Sequence, residues 1–464
     1  MQFSRTICAF MVSVAVFATS TIGSAQGKVD WTPLLKDALE QAKAQNRIVF
    51  VSMGAVGEAR SEQIRKAAFS QSGLVKQTQF SFNVPAWSVP VHAKRKLPAF
   101  GKASQLDHHE NLVECMDRWL APNLEDAIAL PQHLWIDGDG KLLLSCPWEL
   151  SAEEFSWCFQ EAFRLAEIKD AAPAIDGAHP PRRLLLGEVF ELPADDTLGR
   201  GLMESELEEM IKRLNKRFLA WSDAGDVGRI TFSDFDEAVE FVEQQIGFWE
   251  IGGSRAGPII NGSLGIIGNL STSRFLELLK KYAARPNATT RGQVAVAIEQ
   301  IGHPDGAALA KNGLKKESDD AVRAEWVRAL GACGRNDKTT GRSLIKLAQK
   351  DKDARVRLNA ILALGHVLPD PGARSFLLDL AELGGGEEQL AAVLALGLGR
   401  DRGSVDLLTK LSKDDPGDVL KTHVELVLRV LNGANLYELE VLFKNLDGSS
   451  FDRKRLFFRG KAAN

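Results

Sequence analysis

One short helical phrase returns five times between residues 264 and 396: Leu264-Gly265, Ile298-Glu299, Leu330-Gly331, Leu364-Gly365 and Leu396-Gly397. The steps between copies are 34, 32, 34 and 32 residues. A fixed period of that size leaves few architectures open, because one helix pair of about 30 residues has an apolar face that it cannot bury alone. Stacking such pairs buries the faces in series. The spacing therefore predicts an all-α solenoid over residues 262–445, with an extended helical surface.

The remainder of the chain has a different core. Six of the nine Trp (Trp31, Trp87, Trp119, Trp135, Trp148 and Trp157) precede residue 160, and only Trp326 falls inside the clear repeats. A chain of 464 residues has room for more than one domain. Residues 26–168 alternate strand and helix signals: a polar helix over Ala38–Gln45, the buried-strand run Ile48-Val49-Phe50-Val51, a helix near Ser61–Phe69 and an alternating run from Phe80 to Val84. His133 to Ile136 and Lys141 to Leu144 flank Asp137-Gly138-Asp139-Gly140, which predicts a hairpin. Ser151-Ala152-Glu153-Glu154 reads as a capping box that opens a helix to Leu165. The fold class is thus multidomain, an α/β region followed by an all-α one.

The N-terminus has the layout of a secretory signal over residues 1–25. Arg5 gives the positive start, Ile7 to Ala18 the apolar run, and Gly23-Ser24-Ala25 a small-residue cleavage site. The expectation is an exported protein, periplasmic or secreted. Cys8 lies at the start of the apolar run, where no lipid-anchored cysteine would sit. The net charge of −4 argues against bulk binding of nucleic acid.

Two family resemblances follow. Asp320-Ala321-Val322-Arg323 leading to Ala329-Leu330-Gly331, and Asp353 through Val356-Arg357 leading to Ala363-Leu364-Gly365, resemble HEAT repeats of the phycobilisome-lyase type. That resemblance implies a partner-binding surface, with Asp320 and Asp353 as helix caps and Arg323 and Arg357 knitting neighbouring units together. The order of elements in 26–168 resembles the thioredoxin-like family, with the strand 48–51, the Leu130-Pro131 step and the turn holding Asp139 and Gly140 as landmarks. It implies a cis Pro131 facing the end of strand 48–51. Where redox members carry Cys-x-x-Cys, this chain reads Met53-Gly54-Ala55-Val56-Gly57-Glu58-Ala59-Arg60, with Gly57 and Arg60 at the thiol positions. Exchange chemistry needs an attacking thiolate at a helix start and a resolving thiol. Neither is there.

Residues 169–203, with Pro173, Pro180, Pro181 and Pro193, read as a linker. Residues 204–261 read as a helical connector. Its loop resembles an EF-hand, with Asp223 at the first position, Gly228 at the turn and Asp234 at the twelfth. Gly225 and Val227 stand where calcium needs side-chain oxygens, so the expectation is no metal, with Asp223 and Asp234 the residues a calcium site would use. In the tail 446–464, Arg453, Lys454, Arg455, Phe457 and Phe458 would touch a membrane surface peripherally if anything does.

Cys115, Cys146, Cys158 and Cys333 remain for chemistry. Cys333 reads as a small core residue. Cys146 and Cys158 suit a structural disulfide, and together with Cys115 they are the residues a relocated redox site would use; spacing leaves the connectivity open. His92, His108, His109 and His133 cluster between residues 92 and 133, but without ligand spacing, so 92–110 reads as a solvated loop. No cofactor motif is found. The reading is an exported, non-catalytic adaptor: a HEAT solenoid that binds a protein or peptide, joined to a thioredoxin-like domain without its thiols. The alternatives are a thiol–disulfide oxidoreductase and a calcium-responsive scaffold.

Overall fold

A computed structural model describes residues 28–56, 59–88, 100–120, 130–190, 264–265, 267–268, 273–414, 417–446 and 460–462. The signal-like segment, Gly57, His92, the connector with Asp223 and Asp234, and Arg453, Lys454, Arg455, Phe457 and Phe458 lie outside these residues, as does the side chain of Arg60.

The N-terminal region is built on a five-stranded mixed sheet. Its elements run α1 (Leu35–Gln45), β1 (Ile48–Ala55), α2 (Ala59–Ala67), α3 (Ser72–Thr78), β2 (Ser81–Ser88), α4 (Gln105–Cys115), β3 (Gln132–Ile136), β4 (Leu142–Pro147), α5 (Ala152–Leu165) and β5 (Leu185–Leu186). The sheet order is β2-β1-β3-β4-β5, with β1 and β2 parallel and the other pairs antiparallel. Because helices cover both faces, β1 is buried along its length and its sequence is an unbroken apolar run rather than an alternation. Val49, Val51 and Met53 face α1 and α4 in one core. Ile48 and Phe50 face α3 and α5 in the other, where Phe50 packs on Trp135, Phe155 and Phe159. Full burial of each such ring stabilises by about 1.5–3 kcal/mol. Both Ser104 and Ser151 form capping boxes, with Asp107 and Glu154.

Two sequence expectations change here. Residues 105–115 are not a solvated loop but helix α4, because buried Asn111 ties it to its neighbours: Oδ1 accepts the Leu35 amide (2.8 Å) and Nδ2 donates to the carbonyls of Pro33 and Pro85. His108 is fully buried, its Nδ1 accepting the Trp87 amide at 3.1 Å. Residues 169–190 are not a linker either. Gln77 and Gln160 donate to the carbonyls of Pro173 and Ala172, and the Ile175 amide donates to Ser156 Oγ. Leu185 and Leu186 then add β5 to the sheet edge. Apolar Leu184, Leu185 and Val189 find buried places that outweigh the turn character of the prolines.

The C-terminal region is a double layer of helices. The inner layer is α7 (Ala288–Ile301), α9 (Asp320–Cys333), α11 (Ala354–Leu364), α13 (Gly386–Leu398) and α15 (Asp418–Leu431); the outer layer is α8 (Gly306–Lys316), α10 (Thr340–Lys350), α12 (Pro371–Leu383) and α14 (Val405–Lys413). Helix α6 (Leu276–Tyr282) precedes them and α16 (Glu440–Leu446) follows. The repeated phrase now has its reason. Leu330, Leu364 and Leu396 are buried, and the glycine after each lets consecutive inner helices nearly touch. A Cβ on Gly331 would lie 2.7 Å from the Ala363 carbonyl oxygen, and one on Gly365 2.5 Å from that of Ala395.

Asp353 caps α11, accepting the amides of Arg355 and Val356. For α9 the capping residue is Asp319, one place earlier than expected, because Asp320 already lies in the first helical turn and pairs with Arg323 (2.8 Å). Arg323 also reaches Asp351 in the next unit, and Arg357 reaches Glu388 at 3.3 Å. Arg291–Glu317, Lys311–Asp337 and Arg374–Asp401 repeat the device along the stack.

Candidate binding cleft between the sheet and the helical stack

The expected redox residues come together only in part. β3 and β4 place His133 opposite Cys146, and Ser52 of β1 opposite His133, so these three share one face of the sheet. Leu130–Pro131 is a cis peptide at the start of β3, and the Pro131 carbonyl accepts the Trp148 amide at 2.6 Å. Ser61, at the start of α2, accepts the Ala55 amide on its Oγ (3.2 Å). Cys115, Cys146, Cys158 and Cys333 are all free and buried. Burial pushes the Cys146 and Cys158 thiols well above the usual range, and Glu154 pushes both in the same direction. It raises Cys115 likewise and moves Cys333 to about 12. Burial also holds His133 down at about 3 and His108 at about 4, so both are neutral. A neutral His beside a protonated thiol has no ion pair with which to activate it. Asp139 lies far out on its turn, pairing with Lys43 at the surface, while Gly140 takes φ 84° and its carbonyl accepts Trp119 Nε1 (3.2 Å). Among the described residues no group of His, Cys, Asp and Glu is arranged to hold a metal ion.

The open space lies elsewhere. The sheet region sits along one edge of the helical stack, against the segments that follow the inner helices. In the last turn of α7 the carbonyls of Glu299 and Ile301 accept Arg182 and Arg183. After α9, Arg335 donates to the Pro180 carbonyl (3.0 Å) and lies 3.7 Å from Glu154. After α13, Arg402 pairs with Glu161 of α5. After α15, Asn435 exchanges hydrogen bonds with the backbone of Leu186, and Tyr437 donates to Glu188 (2.7 Å). Carbonyls at helix C-termini carry partial negative charge and lack helical partners, which is why arginines collect there. The chain's end joins the same contact, since β7 (Gly460–Ala462) pairs antiparallel with β6 (Glu188–Phe190).

Where the two regions meet, a cleft of about 270 Å³ remains. It is bordered by the start of α5, by α2, by His179, Arg182 and Arg183, and by Ile301–Pro304 and Arg335 from the stack. A smaller cavity of about 30 Å³ shares His179, Arg182 and Arg335 and adds His366. Burial lowers Arg182 to about 10 against the pull of Glu299, and lowers Arg335 too. It holds His366 far below the usual histidine range, with Arg182 and Arg335 acting in the same direction. The inner face of the stack is also filled from within: Leu439, Leu442, Phe443 and Leu446 of the C-terminal turn and α16 belong to its core, and Arg328 lies 4.2 Å over the Phe443 ring.

Residues 309–396 and 341–429 match the family model for HEAT repeats. The C-terminal half contains HEAT repeats. Among solved structures, the complex of CpcE and CpcF of phycocyanin lyase from Nostoc sp. PCC7120 is similar at 13% identity over 52% of this chain and 95% of that one, with a TM-score of 0.31. No curated protein matches. Sequence reasoning located the HEAT ladder but missed the cleft. The signals were present, an Arg182-Arg183 pair after two prolines and Arg335 after a repeat-ending glycine, yet nothing local shows that they converge.

Proposed function

We propose that this chain is a repeat-based protein-interaction scaffold whose HEAT units hold a thioredoxin-like domain that performs no thiol chemistry, and that it works after export. The observation that carries the reading is the HEAT ladder itself, a continuous stack with an exposed outer layer. The sheet order and the parallel β1–β2 pair support the thioredoxin-like assignment. Buried thiols held in the protonated form support a non-catalytic role over the oxidoreductase alternative.

The partner surface is narrower than a bare solenoid offers, because one edge and the inner face are occupied by the chain itself. The outer layer remains. On α8 and α10 it exposes Lys315, Lys316, Arg342, Lys346 and Lys350, and among the described residues none of these forms an ion pair. Such a stripe suits an acidic protein segment. The test is cross-linking of the full chain in the envelope fraction, compared with a variant carrying Lys315→Glu, Lys346→Glu and Lys350→Glu. Partner cross-links concentrated on α8 and α10 and lost in the variant are expected. Cross-links that persist unchanged would reject this surface, and disulfide-reductase turnover abolished by Cys146→Ser would reject the non-catalytic reading.

A further inference from the structure

We propose that the cleft between the sheet region and the HEAT repeats binds a small oxyanion, a phosphate or carboxylate group, clamped between Arg182 and Arg335. Three features of the site support this. Both guanidiniums border the 270 Å³ cleft and the smaller cavity beside it. Their partners are mostly neutral: Arg182 gives one N–H to the Glu299 carbonyl, and Arg335 gives one to the Pro180 carbonyl and another to His366 Nδ1 at 3.5 Å. A guanidinium has five N–H donors, so each keeps donors to spare, and the Nε of Arg335 is buried without a hydrogen-bond partner.

Glu149, Glu153 and Glu154 border the cleft as well. Glu154 Oε1 forms a long ion pair with Arg335 at 3.7 Å, outside hydrogen-bond distance, while its Oε2 accepts the Ser151 amide in the capping box. Burial and Arg335 lower the pKa of both His366 and His179, which favours their uncharged, hydrogen-bonding forms. Glu154 and Glu299 offset the buried charge only in part, since burial still lowers both arginines, and an enclosed anion would relieve both together. Size narrows the ligand further. The cleft falls below the roughly 300–1,000 Å³ of pockets that take drug-sized molecules, which leaves room for one oxyanion with its waters. Because Arg182 belongs to the segment leading into β5 and Arg335 to a HEAT loop, the bound anion would bridge the two regions.

The experiment is calorimetric titration of the full chain with inorganic phosphate and, separately, with succinate at fixed ionic strength, since exposed charge would be screened. A saturable heat with either probe is expected, and which probe gives it identifies the group. Arg182→Gln and Arg335→Gln should each weaken binding about tenfold or more, the cost of a charge-assisted hydrogen bond. Lys413→Gln, at the exposed end of α14 and away from the cleft, should change nothing. For a readout that needs no variant, the effective probe should slow phenylglyoxal modification of Arg335 in the native protein, followed by mass spectrometry. Silence with both probes, or full affinity in both Gln variants, overturns the proposal, as does an unprotected Arg335.

Discussion

Glu299 stands where the other four copies of the repeated phrase have glycine, and its buried carboxylate is held by Arg328 at 2.9 Å. Gly331 and Gly365 bring consecutive inner helices together backbone to backbone. In this one repeat the junction is instead an ion pair that spans α7 and α9, with side chains about as buried as any in the core. Removing one partner of such a pair leaves an uncompensated charge, so Glu299→Ala should destabilise by about 3–5 kcal/mol in denaturant unfolding. The double variant Glu299→Gly, Arg328→Met restores the phrase and removes both charges. It should recover a substantial part of the loss; equal damage in single and double variants would show that the junction depends on something other than charge pairing.

The glycines of the regular junctions make the complementary prediction. Gly331→Ala and Gly365→Ala force a methyl group against a backbone oxygen, and overpacking of this kind costs about 1–3 kcal/mol. Gly265 has more room, its nearest neighbour being Gln293 Nε2 at 3.5 Å. Thermal unfolding should therefore rank Gly265→Ala well above the other two in stability. The reverse order would mean that the helix-to-helix spacing is not what the glycines protect.

Glu161 links the sheet region to the repeats in a pH-dependent way. Burial alone would raise its pKa, but hydrogen bonds from Arg164 and Arg402 more than reverse this and bring it to about 2, from the usual 4.5. A folded-state pKa below the unfolded one gives stability that is present above pH 4.5 and lost as the pH falls towards 2. Melting temperature should thus drop through that window more steeply in the parent protein than in Glu161→Gln. Parallel curves would show that the pair contributes nothing to holding the two regions together.

The thiols give a direct check on the chemistry. With Cys115, Cys146, Cys158 and Cys333 buried and their pKa values raised, the native protein should react with a thiol reagent at pH 8 far more slowly than a model thiol of pKa about 8.5. Denaturant should release all four. Fast labelling of Cys146 or Cys158 in the native state would restore the oxidoreductase reading.

Local signals carried well into the structure and long-range ones did not. The run Ile48–Val51 announced a strand buried on both faces, Ser151 with Glu154 announced a helix start, and the leucine–glycine period announced the stack. Each of these depends on neighbours within one element or one repeat. The cleft depends on Pro180 and Arg335, which are 155 residues apart and carry no pattern that pairs them. The linker expectation failed for a related reason. Prolines describe the backbone of residues 173–181, whereas the fate of Leu184–Leu186 was decided by a free sheet edge and by Asn435, far along the chain. The occupied inner face was hidden in the same way, since an amphipathic helix such as α16 does not reveal in its own sequence that the groove it fills is one the same chain has made.

The pairing of β6 with β7 allows a last prediction. Three residue pairs, Glu188 with Ala462, Val189 with Lys461 and Phe190 with Gly460, hold the chain's end on the segment that leaves the sheet. This ribbon has only two strands, which is marginal on its own, so it depends on the packing behind it: Phe190 against Trp148, and Glu188 held by Tyr437. Ending the chain at residue 459 removes one strand while leaving that packing in place. Hydrogen exchange should therefore rise at residues 188–190 without rising in α7–α11, because local opening does not require the HEAT stack to unfold. If exchange rose throughout the repeats, the terminal strand would be part of the cooperative core, and the two regions would have to be regarded as a single folding unit.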